Sequence, residues 1–261
     1  MKRTACILGL TLLSGTAMAA LHGKNVSYDG GGVKMKGYVV YDDQFKGKRP
    51  AVLVVHEWWG LNDYARSRAD QLAKLGYVTM AVDMYGDGKH ADHPDNAMAF
   101  MQEATKDTEK TSARFRAAES LLKANKRTDA SKLAAIGYCF GGAVVLNMAR
   151  QGEPLKGVAS FHGALGAWKP AEPGKVTPKV LVMTGADDAM VPADAVAKFD
   201  AEMKAANADY RIISYPGAKH SFTNPGADEL GKKFNMPIAY NAEADKASWG
   251  ELQTFLQTVF K

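Results

Sequence analysis

The sequence predicts an α/β fold: a mostly parallel sheet with helices on both faces. Three observations carry this. Short, continuously apolar runs of strand length recur along the chain. Segments with helical spacing separate them, and such alternation implies βαβ units around one sheet. The chain has 261 residues, 46% hydrophobic and 23% charged, which suffices for one sizeable domain with a real core.

The elements follow in order. Met1-Lys2-Arg3 supplies a positive start, Ala5 to Leu13 is apolar apart from Thr11, and Ala17-Met18-Ala19 is a small-x-small cleavage site. Residues 1–19 therefore read as a secretory signal, and 20–261 as the exported domain, destined for a bacterial periplasm. The apolar run is too short to span a bilayer, and no later run nears about 18 apolar residues, so no membrane anchor is expected. Val33 to Tyr41 alternates apolar and polar residues, as a half-exposed edge strand would. Ala51 to Val55 is a buried parallel strand. Asp63 to Leu75 is a helix, with Ala65, Ala69, Leu72 and Leu75 on one side and Gly76 as its C-terminal stop. Val78 to Val82 is the next buried strand. Asn96 to Ala124 is polar and helical, long enough for two helices. Leu133 to Ile136 is a strand, and Phe140 to Arg150 the helix after it. Strands follow at Gly157–Phe161, Lys179–Thr184 and Tyr210–Tyr215, and helices at Ala193–Ala206 and Asp245–Val259. Lys169 to Pro178, rich in proline, lysine and glycine, reads as a surface loop.

Charge and cysteine content narrow the function. Removing Lys2 and Arg3 leaves 31 basic and 28 acidic residues, a net charge of +3. That is too weak and scattered to suggest nucleic-acid binding. Cys6 leaves with the signal, so Cys139 becomes the single cysteine of an exported chain. It can form no internal disulfide, and an isolated thiol in an oxidising compartment is a liability that catalysis would explain.

Cys139 sits in Gly137-Tyr138-Cys139-Phe140-Gly141-Gly142. This is a nucleophile elbow, with cysteine in the usual place of serine. A sharp strand-to-helix turn lifts one side chain above the sheet, and glycines flank it because side chains there would collide with the turn or the next strand. The thiol also stands at a helix N-terminus, where free N–H groups and the dipole favour a thiolate. A thiol attacking a carbonyl needs a base, an acid that orients the base, and donors for the oxyanion. Two later loops, each after a predicted strand, supply candidates in the order nucleophile, acid, histidine: Gly185-Ala186-Asp187-Asp188-Ala189-Met190-Val191-Pro192, and Pro216-Gly217-Ala218-Lys219-His220-Ser221-Phe222. Spacing alone does not separate Asp188 from Asp187.

With the elbow, the Gly-x-x-Asp-x-x-Val-Pro loop and the Tyr-Pro-Gly-Ala-x-His-x-Phe loop, the chain resembles the dienelactone hydrolase family of α/β-hydrolases. His56-Glu57-Trp58-Trp59-Gly60-Leu61 looks like the family's loop after its third strand, and Asp83-Met84-Tyr85-Gly86 like its Asp-Leu-Tyr segment. The resemblance spans about residues 25–260. It implies Cys139 as nucleophile, His220 as base and Asp188 as acid, and places the oxyanion donors at the backbone N–H groups of Phe140 and Trp58. It also implies that a buried Glu57 exchanges a proton with the thiol when substrate binds. Tyr85, Trp59 and His162 are candidate pocket-lining residues. The family's carboxylate-binding arginines would fall at positions that here hold Asp87 and Asn224, so a bidentate clamp for a carboxylate substrate cannot be built there. The expected function is hydrolysis of a small ester, lactone or thioester through an acyl-thioester on Cys139. The alternatives are a non-catalytic binding protein or a redox-responsive one on the same fold. No cofactor is expected. His90 and His93 with Asp87 and Asp92 are too loosely spaced to suggest a metal. Oligomeric state is not legible.

Overall fold

The computed structural model describes residues 20–261; the expected signal over 1–19 lies outside them. The chain opens with a hairpin, β1 (Leu21–Gly30) and β2 (Val33–Asp42), paired antiparallel across Gly31-Gly32. Then come β3 (Arg49–Val55), α1 (Asp63–Lys74), β4 (Val78–Val82), α2 (Pro94–Thr105), α3 (Thr108–Lys123) and β5 (Thr128–Tyr138). The second half comprises α4 (Phe140–Arg150), β6 (Gly157–Phe161), β7 (Lys179–Gly185), α5 (Ala193–Ala205), β8 (Tyr210–Tyr215), α6 (Ala227–Phe234) and α7 (Ala242–Val259). The eight strands form one sheet in the order β1-β2-β4-β3-β5-β6-β7-β8, parallel from β4 to β8 and antiparallel at the β1–β2–β4 end.

The continuous apolar runs are central parallel strands, every residue of β4 and β6 being buried. Helices cover both faces, as such runs require. The polar stretch between β4 and β5 divides into α2 and α3 at Asp107, whose carboxylate accepts from the N–H groups of Glu109 and Lys110 and caps α3. Val33–Tyr41 is not the edge. That place belongs to β1, whose largely exposed, polar sequence carries little apolar signal, and β2 is held between β1 and β4. Gly76 does stop α1, at a φ of 97°. Helix α2 is shallowly docked: Ala97 and Ala104 are its buried residues.

The elbow joins β5 to α4 in close quarters. A Cβ on Gly137 would lie 2.1 Å from the Gly141 carbonyl oxygen, and one on Gly141 would lie 2.3 Å from the Val55 oxygen. Gly141 N–H donates to the His56 carbonyl at 3.0 Å, so the first turn of α4 leans against the end of β3. Gly141→Ala is therefore expected to cost about 3 kcal/mol or more of stability, because the first turn of α4 and the end of β3 must move apart. Thermal unfolding with Gly166→Ala as reference checks this, since a Cβ at Gly166 meets nothing within 4 Å; equal melting temperatures would contradict it.

Candidate active site

Four loops at the C-terminal ends of β3, β5, β7 and β8 build the site. At the first residue after β5, Cys139 adopts φ 50° and ψ −115°. A non-glycine residue reaches this region only when its surroundings impose it. Two contacts impose it: Cys139 N–H donates to the Phe161 carbonyl at 3.0 Å and also approaches His162 Nδ1 at 3.2 Å. The turn leaves the thiol partly exposed, lining a cavity.

The acid and base loops are pressed together. A Cβ on Gly185 would sit 2.2 Å from the Ala218 oxygen, and Asp187 N–H donates to that same carbonyl at 3.0 Å. The approach brings Asp188 Oδ2 to 2.9 Å from His220 Nδ1, with both residues buried. Asp188 Oδ1 accepts from the N–H groups of Met190 and Val191, which fixes the carboxylate. Asp187 is exposed. The structure thus separates two aspartates that spacing could not.

With Nδ1 donating to Asp188, Nε2 of His220 is left facing the Cys139 sulfur. It is buried, and among the described residues it bonds no nitrogen or oxygen. Burial works against an imidazolium here, but the negative charge of the Cys139 sulfur and the Asp188 bond outweigh it, and the pKa is pushed up to about 10. His220 should therefore remain protonated in the free protein until the pH rises through about 10. The alkaline limb of kcat/KM is expected there, since kcat/KM reports free-enzyme ionisations. Cys139→Ser, which removes the sulfur's charge, should move that limb to lower pH; an unmoved limb would assign it to another group.

The loop after β3 contributes Glu57 and Trp58. Glu57 is 2% exposed; burial raises its pKa above the usual carboxylate range, against the pull of its Asn224 and Ser221 donors. Asn224 Nδ2 donates to Oε2 at 2.7 Å and Ser221 Oγ to Oε1 at 3.1 Å. Both bonds of the carboxyl thus run to the β8 loop, and neither runs to Cys139. Among the described residues the backbone N–H groups of Trp58 and Phe140 donate to no acceptor, and both residues line the cavity.

Three expectations about the pocket are corrected. Tyr85 does not line it: the ring packs between His56 and Phe140, and its hydroxyl donates to the Trp58 carbonyl at 2.8 Å, tethering the loop that carries a free N–H. Trp59 is buried against Trp58 and Phe234. His162 is fully buried behind the elbow; with Nδ1 toward the Cys139 N–H, Nε2 pairs with Thr223 Oγ1 at 2.8 Å. Burial, first, and then the charges of His220 and Arg68 keep it neutral, as an acceptor there must be. Asn224, read from sequence as a missing arginine, is a donor to Glu57. Asp87 is exposed and lines a shallow surface depression with Lys36 and Arg66, apart from the main cavity. His93 caps α2 by accepting from the Asp95 N–H at 3.2 Å.

A pocket was expected here, but not with these walls. It encloses about 420 Å³ beside Cys139 and His220. Its walls are Met98 and Met101 of α2, Met190, Trp58, Trp168 and Ile238. Two methionines at i and i+3 of a polar helix were the available signal, but they read equally well as core.

The comparisons with known proteins agree with this architecture. The "Protein usf" of Aquifex pyrophilus is 29% identical over 225 residues, covering 84% of this chain and 95% of that one. A dienelactone hydrolase-like promiscuous phosphotriesterase, P91, from metagenomic libraries superposes with a TM-score of 0.85 at 34% identity, over 93% of this chain and 100% of P91. The solved structure called m3DLH gives 0.87 at 36% identity, with the same two coverages. The model of the dienelactone hydrolase family matches residues 35–260, nearly the whole described chain, and the chain belongs to that family.

Proposed function

We propose that this protein hydrolyses small esters, lactones or thioesters through a Cys139–His220–Asp188 triad and an acyl-thioester on Cys139. The observation that carries this reading is the buried Nε2 of His220, which faces the Cys139 sulfur and pairs with no nitrogen or oxygen among the described residues, with Nδ1 tied to Asp188 at 2.9 Å. Nδ1 is committed to Asp188, so Nε2 is the ring atom that can give a proton to a group bound at Cys139 and later take one from water.

The thiolate attacks the carbonyl carbon, and the C=O electron pair moves onto oxygen, received by the N–H groups of Phe140 and Trp58. The tetrahedral intermediate collapses, the carbon–oxygen bond to the leaving group breaks, and the leaving oxygen takes the proton from His220 Nε2. Forming the thioester consumes the sulfur's charge, which was the largest influence raising the His220 pKa. The same imidazole thereby changes from acid to base. It removes a proton from water, the hydroxide adds to the thioester, and collapse expels the thiolate and the carboxylic acid. Asp188 holds the ring in one tautomer throughout. Glu57 is the candidate proton partner of Cys139 whenever the sulfur is protonated; its carboxyl is held by Ser221 and Asn224, so one of those bonds must give way first. The expected signal over 1–19 would place this chemistry in the periplasm.

The test is mass spectrometry of the protein quenched during turnover of p-nitrophenyl esters, lactones and thioesters. Acyl adducts are expected on Cys139. Adducts confined to serine would overturn the assignment.

A further inference from the structure

We propose that the cavity selects uncharged, apolar esters and discriminates strongly against substrates that carry a carboxylate. The proposal rests on the hydrolytic reading above and names the substrate class of that site.

The walls decide it. Besides Cys139 and His220, the polar residues lining the cavity are Thr105 and Ser221, and the Ser221 hydroxyl is committed to Glu57. No lysine or arginine lines it among the described residues. Trp168 divides it from a second, charged depression where Arg150 is already paired with Glu202. Glu57 stands directly behind Ser221, so any negative charge it carries faces a bound anion. The one cation there, the His220 imidazolium, is already held between Asp188 and the Cys139 sulfur, so a carboxylate inside would be stripped of water with no free cation to receive it. An alkyl or aryl group instead meets Trp58, Trp168, Ile238 and three methionines, whose unbranched, polarizable chains adapt to varied shapes. Met98 and Met190 are 40% and 47% exposed although both line this cavity. Large apolar side chains left at the rim are what an apolar ligand would cover.

The experiment compares p-nitrophenyl acetate, butyrate and hexanoate with the mono-p-nitrophenyl ester of adipate, on full-length protein, with Cys139→Ala as the background. Each methylene is expected to raise kcat/KM by about fourfold until the cavity is filled. The adipate ester should fall on the order of 100-fold or more below the hexanoate. Met98→Arg places a cation at the solvent-exposed rim and should improve the adipate-to-hexanoate ratio by about tenfold. Cys139-dependent turnover without a chain-length gain, or with adipate equal to hexanoate, would overturn the proposed selectivity and leave the triad reading standing. Failure of every ester to acylate Cys139 would remove both.

Discussion

Replacing Cys139 by alanine is expected to lower kcat/KM for p-nitrophenyl esters by a factor on the order of 10⁴ or more. The rate that survives would come from binding and the two free backbone donors. Stability should hardly change, because the Cys139 side chain makes no capping bond to α4 and the backbone contacts that impose its conformation involve the N–H, which alanine keeps. Alanine also lets the two halves of the assignment be read separately. A melting temperature within a few degrees of wild type alongside lost activity locates the effect in chemistry. A rate within tenfold of wild type would mean that the acyl group never visits the sulfur.

Asp188→Asn should cost about 10³- to 10⁴-fold in kcat/KM, with the fold intact. The carboxylate oxygen Oδ1 accepts from the Met190 and Val191 N–H groups, and an asparagine carbonyl can do the same. The other position would then present an amide N–H to His220 Nδ1, where an acceptor now stands at 2.9 Å. That favours the tautomer with the proton on Nε2, which cannot take one from water. Asp187 offers no substitute, being exposed with its N–H engaged by Ala218. Steady-state kinetics of Asp188→Asn and Asp187→Asn, side by side, check the assignment; comparable losses in the two variants would contradict it.

Much of the frame was legible because its signals are local. Parallel strands buried on both faces must be apolar throughout, so β3, β4, β6 and β7 stood out. The elbow was legible because its glycines answer to clashes within one turn, as the 2.1 Å and 2.3 Å approaches at Gly137 and Gly141 show. Strand β1 was missed because it is held by backbone pairing to β2 along its whole length, which leaves its side chains free to be polar. Helix α6 was missed because its eight residues, Ala227 to Phe234, make barely two turns, too short a stretch to stand out from the surrounding loop. The partners of Glu57 were invisible for another reason: Ser221 and Asn224 lie 164 and 167 positions away, and only the folded sheet brings them together. Tyr85 shows the same limit, since a conformational tether through a hydroxyl and a pocket wall look alike in one dimension.

The shallow seat of α2 has an evolutionary consequence. Cys139, Asp188 and His220 stand on loops held to the sheet by close backbone packing and buried bonds, whereas Met98 and Met101 stand on a helix whose fully buried residues are two alanines, with Phe100 and Met101 half-buried against the core. Drift in α2 can reshape what the molecule accepts at little cost to how it reacts. Relatives that share the catalytic loops but differ in this helix would then be an inventory of appetites mounted on one engine, and grafting α2 between them would be the economical way to trade one for another.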